Sequence, residues 1–445
     1  MSLTHYPKYK DSGVEWLGKV PEHWDVLPCR VIVHERTAKN AGAACQDYLS
    51  LVANVGVIPY ADKGDVGNKK PEDLSKCKIV TRGDFVLNSM NYGIGSYGLS
   101  DYDGVCSSVY LVLTPQNEVV ESRFAFRTFE NRAFQGYAQS FGNGILEHRC
   151  AINWDSLKTI GVAIPPLPEQ REILRFLDRE IAKIDALVAE QERLIELLKE
   201  KRQAVVTHAV LKGLNPDVPM KDSGVEWLGK VPAHWDVTTC GRYASILSGF
   251  AFPSTGFDTD PAQVRLLRGI NVGVGSLRWD EAVYWRRSKN DGLDAYELRV
   301  GDLVVGMDRP LIAEGMRVAR VAAEDVPCLL LQRVAMIRTR PELQIEFLEA
   351  LLTSRMFVAH FEPDTTGVSV PHISPDQIRS FRIPLPPLVE QAAIVTHVNT
   401  TSSRLDALMA EARRAIALLQ ERRTALISAA VTGQIDVRDA AGRPA

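Results

Sequence analysis

The chain has 445 residues, 45% hydrophobic and 24% charged, so it is too long for one ordinary domain and can bury several cores. No run approaches the roughly 18 consecutive apolar residues of a membrane span, and no signal-peptide core opens the sequence, so we expect a cytoplasmic protein with no membrane partner. The formal net charge of −3 gives no sign of a nucleic-acid partner, which normally demands surplus Lys and Arg.

The first element of the chain is one copy of an internal repeat. Residues 10–26 read KDSGVEWLGKVPEHWDV, and residues 221–237 repeat them with one change, Ala233 in place of Glu22. A repeat this close indicates one supersecondary unit used twice. We call it the WLGKVP motif.

Two unlike stretches follow the two copies of the WLGKVP motif. Residues 27–163 and 238–383 do not match each other overall, but both contain short strand-like runs separated by glycine turns. GDFVLN at residues 83–88 returns as GDLVVG at residues 301–306. We expect two domains of one mixed α/β fold with different surfaces.

A second repeated motif opens two segments that predict long helices. PPLPEQ begins at residue 165 and PPLVEQ at residue 386, and apolar residues then recur at steps of three and four, which is the pattern of a heptad seam. Each helix should run for about 40 residues, roughly 60 Å. Gly213 and Gly433 are expected to end the two helices, because glycine readily adopts the left-handed backbone conformation found after a helix end. The seam positions are Ile173, Leu177, Ile181, Ile184, Val188, Ile195, Leu198, Val205 and Ala209, then Ile394, Val398, Leu405, Met409, Ala412, Ile416, Leu419, Leu426 and Ala430.

Two arginines, Arg202 and Arg423, occupy equivalent positions in these seams. A charge there is costly unless its stem packs and its head reaches water or a carboxylate. We favour that arrangement, and contact with a partner protein is the alternative.

The order of elements predicts the architecture. A straight first helix would hold the two variable domains at its opposite ends, and a second helix with a complementary seam would cover it in antiparallel orientation. We therefore expect an α+β fold with two mixed α/β domains at opposite ends of a long antiparallel two-helix coiled coil. A pseudo-twofold axis would relate the halves, and the C-terminus would meet the N-terminal motif. The expected scaffold motifs are residues 1–26 and 215–237, and the expected variable domains are residues 27–163 and 238–383. The expected helical regions are residues 164–214 and 384–445, the last with a C-terminal tail.

Together these elements resemble the specificity subunits of type I restriction-modification systems. The resemblance rests on the paired WLGKVPxHWDV segments, the PPLPEQ and PPLVEQ helix starts, and the helix ends AVVTHAVLKGL and ALISAAVTGQI. It covers essentially the whole chain, and Val389 in place of the first copy's Pro168 is a departure.

The resemblance implies two target-recognition domains, each reading one half of a bipartite asymmetric site on double-stranded DNA. It implies that the helical regions set the spacing and bind two copies of a DNA methyltransferase subunit, which would hold S-adenosylmethionine. Restriction and translocase subunits would join that complex.

The sequence carries no motif for chemistry of its own. An adenine methyltransferase needs an NPPY-like loop, and a translocase needs GxxxxGK[ST], which GDVGNKK at residues 64–70 does not fit. The histidines show no HExxH or Cys/His spacing for a metal. We expect a non-catalytic subunit without a cofactor on this chain. A coiled-coil adaptor without DNA readout and a specificity subunit of a related methyltransferase system are the alternatives.

The candidate DNA contacts follow strand-like runs in both variable domains. Residues 28–160 balance 14 basic against 14 acidic residues, whereas residues 238–382 hold 16 arginines and one lysine against 18 acids. Amides and hydroxyls can meet base edges, and arginine binds guanine or phosphate with its planar fork. Ordinary turn chemistry is the alternative in the first domain. The candidates are Asn88, Ser89, Asn91, Tyr92, Tyr97 and Asn143, then Arg268, Asn271, Arg309, Gln332 and Arg333.

Two of the candidates, and the four tryptophans of the WLGKVP motifs, have a second interpretation. Gln332 and Arg333 interrupt an apolar strand-like run, so a satisfied hydrogen bond in the core is an alternative to base reading. The repeated tryptophans could stack on single strands, but identical residues in domains with different targets favour packing of a shared scaffold. These tryptophans are Trp16, Trp24, Trp227 and Trp235.

Overall fold

The computed structural model describes residues 4–66, 68–142, 151–312, 315–354 and 372–438. The chain divides into two compact units, one formed by Met1–Glu192 with Arg414–Ala445 and the other by Arg193–Arg413. We call them unit 1 and unit 2. No helix in the described ranges is both long and apolar enough to cross a bilayer.

Unit 1 contains the first WLGKVP motif and the first variable domain. Its strands are β1 (Tyr9–Asp11), β2 (Lys19–Pro21), β3 (Asp25–Pro28), β4 (Val33–Glu35), β5 (Leu49–Val52), β6 (Gly56–Pro59), β7 (Lys78–Val80), β8 (Phe85–Asn88), β9 (Tyr97–Leu99), β10 (Gly104–Cys106), β11 (Tyr110–Pro115) and β12 (Gly161–Ile164). Its helices are α1 (Cys29–Ile32), α2 (Ser122–Glu130), α3 (Arg132–Ser140), α4 (Trp154–Leu157) and the first part of α5 (Leu167–Lys212).

The first domain is built on an antiparallel sheet in the order β4-β11-β8-β9. All four residues of β8 are buried, because the GDFVLN run lies in the middle of the domain. Strand β12 pairs with β3, which joins the end of the domain to the residues just after the WLGKVP motif. Small pairs β1-β2, β5-β6 and β7-β10 complete the described strands of unit 1.

Unit 2 contains the second motif copy and the second variable domain. Its strands are β13 (Met220–Asp222), β14 (Lys230–Pro232), β15 (Asp236–Thr239), β16 (Ala244–Ser248), β17 (Val264–Leu267), β18 (Val283–Trp285), β19 (Leu303–Gly306), β20 (Leu311–Ile312), β21 (Gly315–Met316), β22 (Val318–Arg320), β23 (Cys328–Leu330), β24 (Val334–Thr339) and β25 (Arg382–Leu385). Its helices are α6 (Cys240–Tyr243), α7 (Ile345–Leu352), α8 (Pro375–Ser380) and the first part of α9 (Leu388–Val431).

The second domain repeats the plan of the first. Its central antiparallel sheet has the order β16-β24-β19-β22, and β15 pairs with β25 as β3 does with β12. A three-stranded sheet, β18-β17-β23, lies beside it. Both domains combine β-sheets with short helices, which agrees with the expected mixed α/β content.

The repeated GD dipeptide has a structural role in both domains. Asp84 and Asp302 each accept a hydrogen bond at 2.8 Å from the backbone N–H three residues earlier, at Thr81 and Arg299. The preceding Gly83 and Gly301 have φ angles of +89° and +92°, which a side chain at Cβ would disfavour. This turn starts β8 and β19 identically.

The two long helices are slightly longer than predicted, with 46 residues in α5 and 44 in α9. Gly213 and Gly433, with φ of +76° and +72°, follow their ends, so both predicted stops are confirmed. The predicted seam positions are buried or half-buried throughout. In unit 1 the start of α5 shares a core with the end of α9, whereas in unit 2 the end of α5 shares a core with the start of α9.

The two seam arginines reach carboxylates, as predicted. Arg423 Nε lies 3.4 Å from Asp185 Oδ1 and its Nη1 lies 3.1 Å from Glu130 Oε1. Arg202 Nε lies 3.8 Å from Asp406 Oδ1. Asp185 and Asp406 are themselves equivalent in the repeat, so the same arginine–aspartate contact occurs once in each unit with the roles of the helices exchanged.

The two ends of the described chain meet inside unit 1. The backbone N–H of Asp436 donates to the Thr4 carbonyl at 2.8 Å, and the Tyr9 hydroxyl donates to the Gly433 carbonyl at 3.1 Å. The expected return of the C-terminal segment to the N-terminal motif is therefore confirmed.

A glutamate, buried in unit 1 and half-buried in unit 2, joins each WLGKVP motif to the first turn of a long helix. Glu169 accepts hydrogen bonds from Trp24 Nε1 at 3.1 Å and from the Tyr6 hydroxyl at 2.7 Å. In unit 2, Glu390 accepts from Trp235 Nε1 at 2.9 Å. Burial and the bond to Glu169 raise the pKa of Tyr6, which keeps its hydroxyl a donor. We call each arrangement a glutamate lock.

The next residue, a fully buried glutamine, ties the long helix to the variable domain. Gln170 Oε1 accepts from the Glu121 N–H at 2.8 Å, and Gln391 Oε1 accepts from the Gln344 N–H at 2.8 Å. Glu121 and Gln344 are the N-cap residues of α2 and α7. The motif EQ thus fixes helix, WLGKVP motif and domain to one another in each unit.

We predict that Glu169→Ala destabilises unit 1 by about 2–3 kcal/mol, because two buried donors lose a charged acceptor. The matched Glu390→Ala change should cost roughly 1 kcal/mol, since that carboxylate is 41% exposed against 8% for Glu169. Urea unfolding followed by tryptophan fluorescence measures both. Equal losses in the two variants would contradict the burial argument.

Candidate nucleic-acid interface

The central sheets of the two domains end in equivalent tips. Asn88 at the end of β8 pairs with Tyr110 at the start of β11, and Gly306 at the end of β19 pairs with Val334 at the start of β24. We define tip 1 as residues 89–91 with 107–109, and tip 2 as residues 307–309 with 331–333.

Two backbone hydrogen bonds recur at both tips. The N–H of Ile152 donates to the Ser89 carbonyl at 3.2 Å, and the N–H of Ile373 donates to the Met307 carbonyl at 2.9 Å. The start of each second strand also closes a turn, from Tyr110 N–H to the Ser107 carbonyl and from Val334 N–H to the Leu331 carbonyl. Position by position, the tips can therefore be compared.

Tip 1 presents apolar and neutral polar side chains. Met90 is 45% exposed and Val109 is 54% exposed, Asn91 is also exposed, and Ser89 is half-buried. Ile94, 67% exposed, follows the tip.

Tip 2 presents charged side chains on a constrained backbone. Arg309, Gln332 and Arg333 are exposed, and the two arginines have φ angles of +44° and +71°. Asp308 Oδ1 lies 3.2 Å from Arg333 Nη1 and 2.8 Å from His372 Nδ1. Left-handed backbone in residues other than glycine is costly and is concentrated at functional sites.

Three predicted contact residues lie inside the protein and have structural partners. Tyr92 is fully buried, its hydroxyl donates to the Phe129 carbonyl, and desolvation raises its pKa. Asn88 is 6% exposed, and its Oδ1 accepts from the Met90 N–H. Asn271 is 2% exposed. We remove these three from the contact set, because side chains so enclosed cannot meet a base edge.

The neighbours of these residues also have structural partners. The amide of Asn271 accepts from the Arg268 N–H at 3.0 Å and donates to the Arg278 carbonyl at 2.9 Å. The half-buried Arg268 guanidinium donates to the Glu281 carbonyl. Tyr97 is half-buried, with its ring against Phe85, and burial raises its pKa.

The interpretation of Gln332 and Arg333 as part of a continuous strand is wrong. They form the exposed turn between β23 and β24, so burial in the core does not apply to them. The positive φ of Arg333 breaks the strand, a feature that an apolar run does not reveal. Asn143 lies outside the described residues.

Several neighbours of the tips were missed by sequence reasoning. Asn68 Nδ2 donates to the hydroxyl of Tyr110, the residue that follows tip 1, at 2.6 Å, and the exposed Lys69 and Lys70 come next in the chain. These residues belong to the GDVGNKK run, whose sequence gives no sign of this contact. Asp308 in tip 2 and His372 beside it are distant in sequence, so no local pattern predicts their contact. No group of three or more His, Cys, Asp or Glu side chains in the described ranges could hold a metal ion.

One scaffold is thus used twice, with equivalent locks and with unlike side chains at matching tips. This organisation defines a duplicated recognition protein, in which the constant part positions and the variable part selects.

Comparison with known proteins identifies what is recognised. The family model described as "Type I restriction modification DNA specificity domain" matches residues 43–197 and 281–416. The MjaVIII specificity subunit of Methanocaldococcus jannaschii is 23% identical over 95% of both chains. The EcoKI specificity subunit of Escherichia coli K12 is 25% identical over 96% of this chain and 92% of the relative.

Solved structures share the fold. A chain from a study of "complex assembly" and "conformational transition of the type I R-M system" superposes with a TM-score of 0.68 at 15% identity, covering 93% of this chain and 98% of that one. The HsdS subunit from Thermoanaerobacter tengcongensis superposes with a TM-score of 0.50 at 17% identity, covering 94% and 98%.

The chain belongs to the family of type I restriction-modification DNA specificity proteins. Its role is recognition of DNA sequence for such a system.

Proposed function

We propose that the chain recognises a bipartite, asymmetric site on double-stranded DNA, with each variable domain reading one half. The observation that carries this proposal is the pair of tips, which share two backbone hydrogen bonds and differ at every side-chain position. A protein with one target would have no use for two unlike surfaces on the same framework. The proposed domains are residues 27–163 and 238–383.

We propose further that α5 and α9 form an antiparallel coiled coil that sets the gap between the half-sites, with the domains at its opposite ends. The repeated contacts of Arg202 with Asp406 and of Arg423 with Asp185 support this pairing, because an antiparallel pair generates them both from one symmetry. The glutamate locks would fix each domain to its end of the coiled coil.

The helices also have features suited to binding two copies of a methyltransferase subunit. Four exposed leucines of the long helices form two repeat-equivalent pairs, with Leu187 and Leu418 in unit 1 and their equivalents Leu408 and Leu197 in unit 2. All four are between 41% and 59% exposed. Exposed apolar residues that recur in a repeat suit two equal interfaces with one partner.

Catalysis would then belong to partner subunits. The methyltransferase would hold S-adenosylmethionine, and restriction or translocase subunits would join the same assembly. This chain would be non-catalytic and would act by placing its partners on one DNA sequence. A coiled-coil adaptor without DNA readout is less well supported, since it gives the differing tips no role.

We predict that replacing residues 27–163 by the first variable domain of the EcoKI specificity subunit changes only one half of the methylated site. The other half is read by an untouched domain, and the helices that set the gap are unaltered. The chain is expressed with its methyltransferase subunit, and methylated bases in the host genome are mapped by single-molecule sequencing. The reciprocal exchange of residues 238–383 is the control. A continuous site, or a change in both halves, would contradict the proposal.

We predict that Leu187→Asp and Leu408→Asp each remove one of two bound methyltransferase subunits, and that the double variant binds none. A carboxylate in the middle of an apolar interface is desolvated without a partner. Native mass spectrometry of the purified assembly counts the subunits. Val389→Asp is the matched control, because Val389 is 83% exposed but lies at the start of α9, well away along the helix from Leu408. Two bound subunits in the double variant would rule out this surface.

A further inference from the structure

The charged tip of the second domain is organised around one carboxylate. Asp308 Oδ1 contacts Arg333 Nη1 at 3.2 Å and His372 Nδ1 at 2.8 Å, and its side chain is 35% exposed against 59% for Arg333. Among the described residues, Asp308 contacts this guanidinium at Nη1 alone, and arginine has five N–H donors, so the other N–H groups are available. Asp308 therefore restrains the arginine without consuming its fork.

The backbone around Arg333 is fixed from two sides. The Met307 N–H donates to the Arg333 carbonyl at 3.0 Å, and Asp308 forms an isolated antiparallel bridge with His372. The Gln332 N–H donates to the Phe250 carbonyl at 2.9 Å. These bonds hold Arg333 at its positive φ, so the side chain leaves the turn in a defined direction. A preformed direction lowers the entropic cost of binding.

The corresponding positions of tip 1 carry different chemistry. By the strand registers, Val109 stands where tip 2 has Arg333, and Asn91 stands where tip 2 has Arg309. Met90 replaces the organising Asp308. Val109 and Met90 are each about half exposed, which offers apolar surface to a ligand instead of a charge.

Each set of side chains matches a different base pair in the major groove. A guanidinium fork pairs with O6 and N7 of guanine, whereas an asparagine amide pairs with N6 and N7 of adenine. Apolar groups contact the thymine methyl. Val109, Met90 and Asn91 together thus favour A·T pairs, and Arg333 favours guanine.

We propose that the two half-sites differ in composition in a way that this chain dictates: Arg333, positioned by Asp308, specifies a guanine in the half read by the second domain, and Asn91 with Val109 specifies A·T pairs in the half read by the first. This inference rests on the proposed bipartite function and adds the base class to each domain. Asp308 is a positioning residue, since it acts through Arg333.

The test is the methylated motif of the chain expressed with its methyltransferase subunit, in a host whose genomic DNA is the probe. Arg333→Ala should make one guanine position degenerate, with a loss of discrimination of about tenfold or more, and leave the other half unchanged. Arg333→Lys keeps the positive charge but loses the planar guanidinium that donates two hydrogen bonds. It should therefore reduce the preference for guanine at the same position only in part. Asp308→Asn should relax it too, without lowering the melting temperature of the protein as a core defect would.

Two further variants control for position and for general charge. Arg320 lies at the opposite end of the same sheet, opposite Leu303, and its side chain is 40% exposed with an ion pair to Glu346. Arg320→Ala should leave the motif unchanged. Val109→Ala should relax an A·T position in the other half-site.

The outcomes separate the inference from the proposed function. If the site is split but Arg333→Ala lowers methylation equally at all sequences, Arg333 contacts a phosphate. That result would overturn the inference and leave the proposed function standing. The same conclusion would follow if the half-site read by the second domain contained no G·C pair. A continuous wild-type site would overturn the proposed function together with the inference.

Discussion

The structure depends on a carboxylate placed in the first turn of each long helix. A negative charge is favourable there because the free N–H groups of the turn carry partial positive charge. Glu169 and Glu390 use this position to bind an indole N–H from the WLGKVP motif, and the adjacent glutamine binds the N-cap of a domain helix. Three segments distant in sequence are thereby fixed at one point. A domain attached in this way cannot rotate freely about its helix.

Because the lock occurs twice, the constant and variable parts of the chain are cleanly separated. The side-chain contacts that define the scaffold recur between equivalent residues of the two units, as in Arg202 with Asp406 and Arg423 with Asp185. Among the described residues, the side chains of the tips share no such recurring contact. Their side chains can change without altering a buried bond, whereas a change in the EQ dipeptide disturbs helix, motif and domain together. The two half-site specificities proposed for the chain require such a separation.

Much of the scaffold was predictable, because repeats and periodicity report backbone directly. The helix ends at Gly213 and Gly433, the seam and the meeting of the chain ends all follow from residue spacing. The contact residues were harder to predict. Tyr92 and Asn271 have the polar groups of a ligand contact but bond to backbone in the interior, and the turn at Arg333 is hidden inside an apolar run. Burial and the sign of φ depend on tertiary neighbours that local sequence does not specify.

The central claim is that the long helices determine the distance between the two half-sites. Duplicating residues 189–192 in α5 and the equivalent residues 410–413 in α9 would add one turn to each, about 6 Å. At about 3.4 Å per base step, the unmethylated gap in the mapped site should widen by one to two base pairs with both half-sites unchanged. A gap of the original length, or half-sites that change while the gap stays constant, would contradict the account.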